Sequence, residues 1–118
     1  MFDLESYLGE LETLVNIDSG TYAVGGVNRV GDFFAARFES LGWIVERVRI
    51  SDQVGYLLDI RSREAERYDA LLIGHMDTVF PQGETKRRPF AIRGGRAYGP
   101  GVADMQCGVL AIWHALRE

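Results

Sequence analysis

GHMDTVF, residues 74–80, is the stretch on which this sequence turns. It sets His75 and Asp77 two positions apart, directly after the apolar run ALLI at 70–73. Residues two apart on an extended segment project to the same side, so the Asp77 carboxylate can reach one ring nitrogen of His75. The other nitrogen is then free to bind a cation. A carboxylate so placed fixes the tautomer of a ligating histidine and raises its basicity. The same residues also suit a solvated strand end with a structural histidine, and an H-x-D triplet recurs by chance. The rest of the chain has to decide.

Working outward, ALLIGH (70–75) is continuously apolar, which predicts a central strand covered on both faces. Upstream, WIVERVRI (43–50) alternates apolar and polar residues as a half-buried strand does, and GYLLDI (55–60) makes a second strand. Residues 3–16 place Leu4, Leu8, Leu11 and Val15 on one helical face. Residues 27–41 repeat the pattern with Val30, Phe33, Phe34, Phe38 and Leu41, and Gly42 stands where a helix stops in a left-handed residue. Between them NIDSGTYAVGG (16–26) breaks both periods. Downstream, FAIRGGRAY (90–98) reads as a hairpin about Gly94-Gly95. Residues 106–117 predict a last helix with Val109, Ile112, Trp113 and Leu116 on its buried face. Helices flank strands throughout, so the fold class is α/β, with no domain boundary inside 1–118.

Composition narrows the function classes. A chain of 118 residues suits one domain with a real core. A net charge of -4 argues against nucleic acid as partner, because no basic surplus exists to neutralise phosphates. The densest basic run, KRR at 86–88, suits a solvated surface; an acidic substrate is its alternative partner. The single cysteine, Cys107, excludes an intrachain disulfide and suits a reducing compartment. No apolar run approaches the ~20 residues that span a bilayer. The opening MFDLESYLGELE is acidic and amphipathic, unlike a signal peptide, so the expectation is a cytoplasmic protein with no membrane partner.

A second cluster, AYGPGVADMQCG (97–108), surrounds Asp104 with Gly99, Pro100, Gly101 and Gly108 at the start of the last helix. Asp104 could cap that helix through backbone N–H groups of its first turn. It could equally be a carboxylate held in a tight loop beside His75, offering oxygen to one or two metal ions. A phosphate loop is excluded, because no Lys-Ser or Lys-Thr pair follows, and no dinucleotide fingerprint is present.

Taken together, GHMDTVFPQGE and RPFAIRGGRAYGPGVADMQCG resemble the first metal-binding half of the co-catalytic zinc peptidases. That superfamily includes glutamate carboxypeptidase, acetylornithine deacetylase, succinyl-diaminopimelate desuccinylase and aminoacylase. The shared pattern is a strand ending in G-H-x-D-x-V, then P-F, a glycine hairpin, and a G-x-x-D-M/D-K-G-G segment opening a helix. LVNIDSGTY and FFAARFESLGWIVERV also look like the superfamily's N-terminal helices and first strand. GHMDTVFPQG and RAYGPGVAD look most like the glutamate carboxypeptidase branch.

The resemblance implies a partial three-layer α/β/α architecture on a mixed, largely parallel sheet, truncated relative to the family. It implies hydrolysis of an amide bond in a small peptide or N-acyl amino acid, with water as nucleophile and two zinc ions, or cobalt or manganese in their place. His75 would bind one metal, Asp104 would bridge both, and Asp77 would join the catalytic apparatus by orienting His75. A cis peptide after the bridging aspartate, here Asp104-Met105, is also implied.

The chain departs from the pattern where Gln106-Cys107 replaces the usual Lys-Gly, which removes no ligand. Cys107 reads as a small packed thiol, and His114 as a surface or groove-lining histidine. The family's catalytic Glu-Glu pair and later ligands have no counterpart here, so the chain is expected to be a piece of the whole machine and inactive alone. A homo-oligomer is expected too, closing over apolar surface at Ile112, Trp113 and Leu116. The competing reading is a non-catalytic domain that self-associates or binds metal weakly.

Overall fold

Helix α1 (Leu4–Val15) begins where Asp3 accepts hydrogen bonds from the backbone N–H groups of Glu5 and Ser6, two of the donors a helix start leaves unpaired. A computed structural model describes all of residues 1–118. The second helix, α2 (Val24–Ser40), starts slightly earlier than its apolar stripe does and ends where Gly42, at φ +78°, donates to Glu39 O at 2.9 Å. These two helices and α4 (Cys107–Leu116) enclose the core: Leu11, Leu14 and Val15 meet Val30, Phe34 and Phe38, with Leu110 and Trp113 from α4. Full burial of such a side chain stabilises by roughly 1.5–3 kcal/mol, so this three-helix contact dominates the fold.

Strands β1 (Ile44–Val48) and β2 (Leu57–Arg61) pair antiparallel, with Val45 opposite Ile60, and lie against α2. After the one-turn helix α3 (Glu84–Arg87), β3 (Ala91–Arg93) and β4 (Arg96–Tyr98) form the expected hairpin. Its turn residues Gly94 and Gly95 have φ of +57° and +75°, a conformation that favours glycine at both positions.

Three expectations need correction. ALLIGH forms no strand: Leu71 and Ile73 are 82% and 80% exposed, and no neighbouring strand pairs with them. An apolar run becomes a central strand only when other strands flank it, and these 118 residues place none there. Both sheets are two-stranded and antiparallel, and the one parallel pairing is a single bridge from Gly20 to Thr78, so no largely parallel sheet forms.

The third correction concerns α4. Its buried face carries Leu110, Trp113 and His114, while Val109 and Ile112 are half-buried and Leu116 is exposed. Apolar periodicity passed over His114 because its burial rests on a polar partner, Glu10 of α1, at 2.7 Å from Nε2. His114 is 4% exposed and belongs to the core, not to the surface. Trp113 packs edge-on against Phe38, so it is not free to close an oligomer.

Candidate metal centre

The site begins with backbone pairing. Ser19 O accepts from Thr78 N–H at 2.8 Å and Thr21 N–H donates to Thr78 O at 3.0 Å, so the segment after α1 lies parallel to the chain just beyond Asp77. From this segment the Thr21 hydroxyl donates to Asp77 Oδ2 at 2.5 Å. Asp77 in turn faces His75. The imidazole Nδ1 lies 3.0 Å from Asp77 O and 3.2 Å from Asp77 Oδ1. The ring therefore has its Nδ1 side fixed by its own chain.

Its other side meets Asp104. Nε2 of His75 lies 2.8 Å from Asp104 Oδ1, although 29 positions separate the two residues. An irregular turn over Val102–Gln106 delivers that carboxylate, with Asp104 itself extended (φ -128°, ψ 93°) and the Asp104-Met105 peptide cis, as the resemblance implied. Gly101 seats the turn: at φ +76°, a Cβ there would stand 2.5 Å from Thr78 Cγ2. A side chain at 101 would push the Asp104 loop away from the His75 loop. The same turn brings Met105 Sδ to the His75 N–H at 3.3 Å.

Both ring nitrogens of His75 thus face acceptors, an environment that suits the doubly protonated imidazolium. Burial disfavours that charge, but the hydrogen bond to Asp104, the backbone bond to Asp77 and the two carboxylate charges outweigh it and hold the pKa above the ordinary 6.5. A cation in place of the Nε2 proton would find a carboxylate oxygen already beside the nitrogen. Nitrogen and oxygen donors of this kind suit zinc, and the Nδ1 contact to Asp77 supplies the outer support such a ligand needs. The residues fit the metal in kind. They furnish a His–Asp pair and no larger ligand set, since no group of three or more His, Cys, Asp or Glu side chains in the chain is placed to hold a metal ion.

The other candidates lie elsewhere. Within the KRR run, Arg87 and Arg88 both bond the buried Glu84, at 2.6 and 2.5 Å, and neutralise it. Cys107 is half-buried, with Sγ 3.6 Å from Ala103 O. Sequence reasoning missed Thr21, Met105 and Gln106, whose roles depend on contacts with distant segments and leave no local pattern.

All three site residues fall within the part of the chain that carries family likeness. Residues 71–118 match the sequence pattern of Peptidase family M20/M25/M40. Over 110 residues, 91% of its length, the chain is 37% identical to Carboxypeptidase G2 of Pseudomonas sp. (strain RS-16). It spans 26% of that relative's length. No helix is long and apolar enough to cross a membrane. Through residues 71–118, and with the likeness to Carboxypeptidase G2 extending over nearly all the rest, this chain belongs to peptidase family M20/M25/M40.

Proposed function

We propose that this chain supplies the first metal ligands of a zinc-dependent amide-bond hydrolase of the carboxypeptidase or N-acyl amino acid deacylase type. The observation that carries the reading is the 2.8 Å approach of His75 Nε2 to Asp104 Oδ1 across 29 positions. Zinc bound there would polarise a carbonyl and bring the pKa of its water to ~7. His75 would hold the metal through Nε2, and Asp104 would offer carboxylate oxygen to it and to a second ion. Asp77 holds the Nδ1 proton and so keeps Nε2 aimed at Asp104. Carboxypeptidase is what the similar protein's name says of it; a small peptide or N-acyl amino acid is the substrate class proposed for this chain.

The general base is proposed to come from outside these residues. Glu84 is taken up by two arginines and Glu10 by Arg37 and His114, so neither is free to carry a proton from water. On this reading the ALLI run pairs as a strand of a larger three-layer sheet in the complete enzyme. Cobalt(II) titration tests the metal reading. A visible absorption band that His75→Ala and Asp104→Ala each abolish is expected; a band unchanged by both would overturn it.

A second reading, a non-catalytic domain that self-associates, is favoured by one observation: Leu71, Leu72 and Ile73 stand exposed in a row.

A further inference from the structure

Gln106 is only 1% exposed and lies in the turn that carries Asp104, two residues further on. Its side-chain Nε2 donates to Met76 O at 3.1 Å and to Ser19 Oγ at 3.4 Å. Its backbone N–H donates to Gly101 O at 3.0 Å. The amide orientation is set by chemistry, because turning it over would press Oε1 against the Met76 carbonyl. Oε1 itself is buried and has no partner. A buried amide with an unpaired oxygen is a costly way to fill space, so its donor end must offset the cost.

We infer that Gln106 is a positioning residue for the His75–Asp104 pair, an assignment that rests on the metal reading above for its purpose but not for its geometry. Met76 lies between His75 and Asp77, and its carbonyl belongs to the peptide unit from which Asp77 springs. A bond to that carbonyl therefore holds the backbone between His75 and Asp77 in place. Ser19, the other acceptor, is the residue whose carbonyl pairs with Thr78. One amide therefore ties the Asp104 turn to the His75 segment and to the segment that carries Thr21. If Gln106 merely filled the core, an apolar residue of the same length would serve as well.

Gln106→Met keeps length and volume while deleting both donors, so it separates the two roles. The first readout needs no metal: the ¹⁵N resonances of the His75 ring in the full chain, with thermal unfolding followed by circular dichroism to establish that the variant folds. The second is cobalt(II) affinity. We expect the variant to fold, its His75 ring resonances to move toward those of an unrestrained imidazole, and its affinity to fall by about 10–100-fold, the usual cost of losing outer support for a ligand. Unchanged ring resonances in a folded variant would overturn the inference even if wild-type protein binds cobalt. If wild-type protein binds none, the metal reading fails, and the ring resonances alone decide whether Gln106 positions His75. Should Gln106→Met not fold, the wild-type Gln106 NH₂ protons decide. Slow exchange with a nuclear Overhauser contact to Met76 or Ser19 supports the inference, and exchange at the solvent rate overturns it.

Discussion

The Thr21 hydroxyl donates to Asp77 Oδ2 at 2.5 Å, while Asp77 Oδ1 and the Asp77 carbonyl face His75 Nδ1. Asp77 is thereby held from both sides, and the imidazole inherits an orientation that begins 56 residues upstream. Thr21→Val keeps the shape of the side chain and deletes this donor. We expect cobalt(II) affinity to fall by about tenfold with the fold intact, as outer contacts of metal ligands usually do. Calorimetric titration of the variant beside wild type measures it; equal affinities would show that Asp77 needs no hydroxyl to stay in place.

Acid should loosen the loop that follows the site before it touches the helical core. Burial alone would raise the Asp18 pKa, but the N–H groups of Thr85 and Gly83 bond the carboxylate and bring it below the ordinary 3.8. Hydrogen bonds from Arg87, then Arg88, bring Glu84 below its ordinary 4.5. A carboxylate whose folded pKa is depressed contributes stability that is fully present above its unfolded value and is lost as pH falls through the folded one. The melting temperature should therefore hold down to pH about 5 and decline below it. Asp18→Asn and Glu84→Gln should each flatten that decline, which melts by circular dichroism at stepped pH would measure.

The parts of the site that lie near one another in sequence were legible from it. His75 and Asp77 meet because an i, i+2 spacing dictates it, and the Gly-rich turn announces Asp104. Gln106 and Thr21 were not legible: each acts on a residue 30 or more positions away, and neither type of side chain marks a site by itself. The α-helices followed their apolar stripes except at two ends, where Leu4 and Leu41 are exposed, and at α4, where a His–Glu bond allowed a polar residue inward. ALLIGH failed for a different reason. Its composition suits a covered strand, but a strand is a property of at least two segments, and periodicity describes only one.

The buried end of the molecule should be sensitive to Glu10. This carboxylate accepts from His114 Nε2 at 2.7 Å and from Arg37 Nε and Nη2, both at 3.1 Å, joining α1, α2 and α4. Glu10→Leu would leave His114, whose Nδ1 already has no partner, without any hydrogen bond inside the core. A stranded buried donor costs about 1–3 kcal/mol. Urea unfolding should show a loss of that order, and Glu10→Gln, which still accepts from His114, should lose less. A Leu variant as stable as wild type would mean that the helices hold together by apolar contact alone.

Self-association, if the apolar run drives it, proceeds through residues 71–73 and not through Trp113. Trp113 is buried against Phe38, whereas Leu71, Leu72 and Ile73 stand in sequence with their side chains largely in water. A contiguous apolar surface of more than a few hundred Å² is rare on a soluble monomer and tends to be covered. The run also lacks a flanking strand, so its backbone has no partner strand to bond. An apolar segment with unpaired backbone groups pairs readily with a second copy unless charge blocks it. We expect sedimentation at micromolar concentration to show a mass that rises with concentration above the 13.2 kDa of one chain. Leu71→Lys with Ile73→Lys should return it to that mass while leaving the helical signal unchanged, since neither residue touches the core. A single 13.2 kDa species at every concentration in the unmodified chain would show that this run, although apolar, does not drive association.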